Sequence, residues 1–130
     1  EMLRSLVGSE MCIRDRYRIK THQDFDKEFK RLCKKYSSLK ADLSALGKSL
    51  SENPDQGTSL GKGVRKVRMA IASKGKGKSH GARVITYTEA IVCADNEGTV
   101  ILLTIYDKAD RDSISAAEID ELLRSLRWEL

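Results

Sequence analysis

VRKVRMAIASKGKGKSHGARVITY, Val64 to Tyr87, is the stretch whose reading decides the fold. Its first part alternates, with Val67, Met69 and Ile71 on one side of an extended chain and Lys66 and Arg68 on the other. That is the two-residue period of a strand with one buried and one solvated face. The middle, SKGKGKSHG, interleaves lysine with glycine, so the backbone can bend closely around a ligand while Lys74, Lys76 and Lys78 bring their ammonium groups together. The last part, ARVITY, returns to β-branched and apolar residues and reads as a second strand.

Outward from this stretch the signals are of the ordinary kind. TVILLTIY, residues 99–106, is almost wholly apolar, which predicts a central strand covered on both faces, and Asp95-Asn96-Glu97-Gly98 before it reads as a turn. On the other side, GTSLGKG reads as a glycine-bearing link. Further back, YRIKT (17–21) alternates as a short opening strand. A first helix follows, with Thr21 or Asp24 near its N-cap and Phe25, Phe29, Leu32 and Tyr36 at helical spacing. A second helix starts at Ser37-Ser38, repeats Leu39, Leu43, Leu46 and Leu50, and stops before Asn53-Pro54, where proline forbids continuation. Near the end, Ser115 and Glu118 form a capping box for a last helix with a stripe of Ile119, Leu122, Leu123 and Leu126. The order is strand, helix, helix, three strands, helix: an α+β domain in which a helical hairpin packs on a small, mainly antiparallel sheet.

At 130 residues and 40% hydrophobic composition, the chain supports one modest core and therefore one domain. No apolar run approaches the roughly 20 residues needed to cross a bilayer, and the expectation is a soluble, cytoplasmic protein. Cys12, Cys33 and Cys93 lack the density of a disulfide scaffold. With only His22 and His80 beside them they also lack the spacing of a zinc site, so no metal or cofactor is expected. The charge is unevenly placed. Between Asp55 and Glu89 no acidic residue occurs, while Lys62, Arg65, Lys66, Arg68, Lys74, Lys76, Lys78 and Arg83 are all basic, so a chain of net charge +5 is otherwise net negative. One basic segment on an acidic body is the footprint of a protein that meets a polyanion at one place.

From Tyr17 to about Leu123 the chain resembles the RelE/ParE superfamily of bacterial toxins. The resemblance is carried by FKRLCKKYSSLKADLSALGKSLSENPDQGTSLG, by VRKVRMAIASKGKGKSHGARVITY and by VILLTIYDKADRDSIS before the last helix; the glycine–lysine block followed by LLTIYDK is similar to a RelE/HigB-like branch. It implies a toxin of a toxin–antitoxin pair. The expected activity is a ribosome-dependent, metal-independent endoribonuclease (an mRNA interferase) that arrests translation and is neutralised by a cognate antitoxin with a helix-turn-helix. Alternatives on the same scaffold are a ParE-type inhibitor of DNA gyrase and a catalytically weak homologue that only binds its antitoxin. Oligomeric state, codon preference and antitoxin identity stay open.

The chemistry implied by that resemblance requires a 2′-hydroxyl to lose a proton, a crowded phosphorane to be stabilised and the leaving 5′-oxygen to gain a proton. Arg83 and Arg68 are the phosphate-binding candidates, since guanidinium presents paired planar donors, and Arg83 matches a family arginine at the start of the equivalent strand. Lys66 with Arg68 matches a basic pair on the preceding strand, and because crowded positive charge favours a neutral amine, Lys66 is the candidate for proton transfer. Lys108 corresponds to a basic residue after the last strand, and Tyr106 is a candidate stacking platform. Arg65, Lys74, Lys76, Lys78, His80 and Tyr87 are assigned to gripping RNA. One departure stands out. Several RelE-like enzymes carry a catalytic tyrosine or histidine near the C-terminus, and Ile114 occupies the aligned position here.

Such toxins begin with a strand, which sets LVGSEMCIRDR, Leu6 to Arg16, apart. It resembles the in-frame translation of a transposase-derived sequencing adapter. Residues 1–16 are therefore expected to be a non-native or disordered extension, with the toxin-like domain over 17–130.

Overall fold

The computed structural model describes residues 17–129 apart from 76, 78, 79, 90–97 and 112. Residues 1–16, expected to be an extension, the turn at 95–97 and the loop residues Lys76 and Lys78 thus lie outside the described residues. The elements are β1 (Tyr17–Thr21), α1 (Gln23–Cys33), α2 (Leu39–Glu52), β2 (Thr58–Gly61), β3 (Val64–Met69), a single 3-10 turn (Ala72–Lys74), β4 (Ala82–Glu89), β5 (Gly98–Asp107) and α3 (Ala116–Glu129).

The five strands form one sheet in the order β1-β5-β4-β3-β2. β1 runs parallel to β5, and every other neighbouring pair is antiparallel. The apolar run of β5 is buried from Val100 to Asp107, as expected of a strand with neighbours on both edges and cover on both faces. The α+β architecture with a helical pair on a mainly antiparallel sheet is the one read from the sequence.

Alternation along the strands divides the core in two. Ile19, Val67, Met69, Val84, Val100, Leu102 and Ile105 face the helical pair and pack against Phe25, Leu32, Leu39, Leu43 and Leu50. Val64, Ile85, Ile101, Leu103 and Tyr106 face the opposite way and pack against Ile119 and Leu126 of α3. Each fully buried Leu, Ile or Phe contributes about 1.5–3 kcal/mol of transfer free energy, so both layers hold the sheet. A register shift after Ile85 leaves Leu103 as an extra residue in β5, and such bulges bend a strand and re-aim its side chains.

Three local expectations are corrected. The link GTSLGKG contains β2, a fourth antiparallel-sheet strand whose residues are all exposed; an edge strand held by backbone hydrogen bonds needs no apolar alternation, so its sequence carried no strand signal. Its tight turn to β3 runs through Gly61, Lys62 and Gly63, all at positive φ, a conformation glycine adopts freely. The N-cap of α1 is His22, not Thr21 or Asp24: Nδ1 accepts the backbone N–H of Asp24 at 2.9 Å, the service that Ser or Asp usually performs. Tyr36 lies beyond the end of α1, in the link to α2. The capping box of α3 forms as read, with Ser115 Oγ accepting the Glu118 N–H at 3.2 Å and Glu118 Oε1 accepting the Ser115 N–H at 3.1 Å.

Candidate nucleic-acid interface

β3 and β4 place the basic residues in register. Arg68 stands directly opposite Arg83, Arg83 directly opposite Tyr106, and Lys66 opposite Ile85 one step along. Directly paired residues of antiparallel strands project from the same face, so Lys66, Arg68, Arg83 and Tyr106 share the face that also carries α3. With strands about 4.8 Å apart, Arg68, Arg83 and Tyr106 form a row roughly 10 Å long across three strands.

The row is not uniformly accessible. Arg68 is exposed and Lys66 half-buried, whereas Arg83 is only 5% exposed and Tyr106 4%. Arg83 Nη1 donates to the Ala82 carbonyl at 3.3 Å. Of the two phosphate-binding candidates, Arg83 is thus a buried member of the row, with Arg68 as its open neighbour. The ring of Tyr106, expected to stack on a base, is already covered: the guanidinium of Arg111 sits 5.1 Å from its centroid.

Other candidates fall elsewhere. Arg65 projects toward the helical pair, with Nη1 donating to the Gly57 carbonyl at 3.4 Å and Nε 4.0 Å from Asp55. Tyr87 packs over Gly63 and against the α3 layer, four residues along β4 from Arg83 or roughly 13 Å. Lys108 is half-buried and its backbone N–H donates to the Gly81 carbonyl at 3.0 Å. Gly81 itself tolerates no side chain, because a Cβ there would stand 2.1 Å from the Met69 carbonyl oxygen. His80 is exposed on the loop, and its carbonyl accepts Lys74 Nζ at 2.9 Å. Ile114 packs into the α3 layer with Tyr106 and Leu122, leaving an aliphatic group where a proton carrier was sought.

Lys74 is the largest departure from expectation. Its Nζ lies 2.5 Å from Oδ1 of Asp107, a carboxylate with no solvent exposure, and 5.3 Å from the centroid of the Tyr36 ring. Tyr36 donates its hydroxyl to the other oxygen of Asp107 at 2.5 Å, and the Ala109 N–H donates to Oδ1 at 3.0 Å. Burial alone would raise the Asp107 pKa, but hydrogen bonds from Lys74 and Tyr36 outweigh it and hold the carboxyl below its ordinary value. The same bond, with burial added, pushes the Tyr36 phenol up to about 12. This cluster joins the α1–α2 link, the 3-10 turn and the end of β5. Beside it, Asp42 Oδ2 accepts the Ala72 N–H at 3.0 Å and Ser38 Oγ the Ser73 N–H at 2.9 Å. The start of the glycine–lysine loop is thereby fastened to the start of α2.

Neither a comparison with models of known protein families nor one with curated proteins finds a match for this chain.

Arg111 and Asp107 stand beside the candidate residues, and sequence reasoning passed over both. Both lie in YDKADRD, where only Tyr106 and Lys108 were taken as candidates. The available signal was an acid directly after the central strand, at the point where the chain leaves the core. A cleft of about 430 Å³ opens next to Tyr106, lined by Thr104, Arg111, Ile114, Glu118 and Leu122, with Asp24, Glu28, Arg31, Asp110 and Glu121 also around it. Acidic side chains outnumber the two arginines, Arg31 and Arg111, which pair with Glu28 and Glu118, so the far side of this cleft is unfavourable to phosphate and bounds the basic face.

Proposed function

We propose that the chain is a RelE-like toxin that cleaves messenger RNA on the ribosome, with the face carrying Lys66, Arg68 and Arg83 toward the RNA. The observation that carries this reading is the register pair Arg68–Arg83 on adjoining strands, with Lys66 one step away on the same face. Paired guanidiniums stabilise the charge that builds on a phosphorane, and an open one supplies bidentate donors. In this arrangement Arg68 meets the scissile phosphate, Arg83 supports the field from below, and Lys66 takes the proton of the attacking 2′-hydroxyl as the P–5′O bond breaks, the leaving 5′-oxygen being protonated from water. The ribosome supplies the substrate geometry, and a cognate antitoxin with a helix-turn-helix covers the same face in the inactive pair.

A second reading draws on Ile114. An aliphatic residue packed beside Tyr106 performs no proton transfer, which favours a catalytically weak homologue whose role is antitoxin binding. Mapping 5′ ends of a reporter mRNA in a bacterial translation extract, with the full chain added as wild type or Arg68→Ala, separates the two. Cuts inside translated codons that fall at least about tenfold in the variant, the loss of about 1.4 kcal/mol of transition-state stabilisation, support the nuclease. Uncut message in an actively translating extract rejects it, and inhibition of gyrase supercoiling would then identify the ParE-type alternative.

A further inference from the structure

The RNA-binding reading leaves one accessible guanidinium of the row without a role. Arg111 stands over Tyr106, which pairs with Arg83, which pairs with Arg68, so its charge extends the row beyond the sheet. Its side chain is 40% exposed, against the near-complete burial of Arg83. Three contacts fix it: the Tyr106 ring, a bond from Nε to the Ser113 carbonyl at 3.1 Å, and a bond from Nη2 to Glu118 Oε1 at 2.6 Å. The first two orient the guanidinium without consuming its charge. The third neutralises it, yet Glu118 is exposed and its carboxylate also serves the capping box of α3.

We infer that Arg111 is a phosphate-binding residue at the end of the basic row, and that an RNA phosphate takes the place of Glu118 on its guanidinium. This rests on the RNA-binding reading and deepens it. An exposed ion pair made through a single oxygen is held weakly enough for a phosphate, which can offer two acceptor oxygens, to exchange with it. After exchange, Glu118 remains engaged with the Ser115 N–H, so the helix cap survives. Arg111 stands at the cleft, where Asp24, Glu28, Asp110 and Glu121 outnumber the one other arginine, Arg31, itself paired with Glu28, so the RNA backbone runs along the Arg68–Arg111 line and no further.

The test is fluorescence anisotropy of the full chain with a labelled 12-nucleotide 2′-O-methyl oligouridylate, which binds but lacks the attacking hydroxyl, over a salt series. Arg111→Ala is expected to weaken binding by about fivefold and to make the slope of log affinity against log salt shallower by about 0.7, the loss of one single-strand phosphate contact. Glu118→Gln is expected to tighten binding by about twofold or more, since the competing charge is gone while the amide oxygen still accepts the Ser115 N–H. A purely structural Arg111–Glu118 pair predicts the opposite sign for Glu118→Gln, through a looser α3. Unchanged affinity and slope in Arg111→Ala, with Arg68→Ala weakened, would overturn this inference alone. A wild-type protein that leaves the probe unbound would overturn the RNA-binding reading and this inference with it.

Discussion

Lys74–Asp107 and Arg111–Glu118 are ion pairs of nearly equal length, 2.5 and 2.6 Å, in opposite surroundings. In the first, the side chains are 13% and 0% exposed; in the second, 40% and 47%. The buried pair is surrounded by further donors, Tyr36 and the Ala109 N–H, and ties three separate segments together. The exposed pair joins residues seven apart at the mouth of one helix. Desolvation accounts for the contrast. Removing one partner of a buried pair strands the other charge, whereas removing one partner of an exposed pair returns the other to water. The same chemistry is therefore a fixed strut in one place and an exchangeable contact in the other.

The largest effect is expected at the strut. Asp107→Ala leaves the Lys74 ammonium without its carboxylate and should cost about 3–5 kcal/mol in urea unfolding, a large part of a typical domain stability of about 5–15 kcal/mol. A loss below about 1 kcal/mol would erase the contrast between the two pairs. The wild-type protein carries an acid signature of the same group. Because the folded Asp107 pKa is lowered, its contribution is fully present above the ordinary carboxylate value near 3.9 and is lost as pH falls through the folded value. Unfolding measured from about pH 5 downward should show that loss in the wild type and a flatter profile in Asp107→Asn.

A smaller effect is expected for Tyr36→Phe, which removes one hydrogen bond to a charged acceptor and should cost about 1.5–3 kcal/mol. Here the sign reverses with pH. The folded phenol is raised to about 12, so its contribution is present below the unfolded value near 10 and disappears as pH rises through the folded value. Wild type and Tyr36→Phe should thus converge in stability between about pH 10 and 12; a constant gap across that window would show that the bond to Asp107 is not what separates them. The smallest effect belongs to the exposed pair. Arg111→Ala should change the thermal midpoint by an amount equivalent to no more than about 1 kcal/mol, while RNA affinity falls. A stability loss comparable to that of Asp107→Ala would make Arg111 a second strut.

Much of the fold was legible because its signals are local. The leucine repeat of α2, the Asn53-Pro54 stop, the Ser115–Glu118 cap and the apolar run of β5 each depend on residues within a few positions of one another. Where the reading failed, the deciding partner was distant or of an unusual type. β2 shows no periodicity because none of its residues is buried. His22 caps a helix through an imidazole nitrogen, while its other ring nitrogen reaches Ser125 at 3.3 Å across 103 residues of sequence. Lys74 looked like one of three equivalent loop lysines until the fold brought Asp107 and Tyr36 to it.

The candidate site divides along the same line. Alternation put Lys66 and Arg68 on one face, and guanidinium chemistry with the family resemblance named Arg83, so all three were read from the sequence, as were the α+β class and the ends of α2. Only tertiary structure decided which cations remain open to a ligand. Packing buried Arg83, the Asp107 carboxylate drew Lys74 out of the loop's charge, and α3 carried Glu118 to Arg111 beside Tyr106. The physical reason is that a strand's period dictates the direction of a side chain, whereas its burial and its electrostatic partner depend on what other segments, tens of residues away, place beside it.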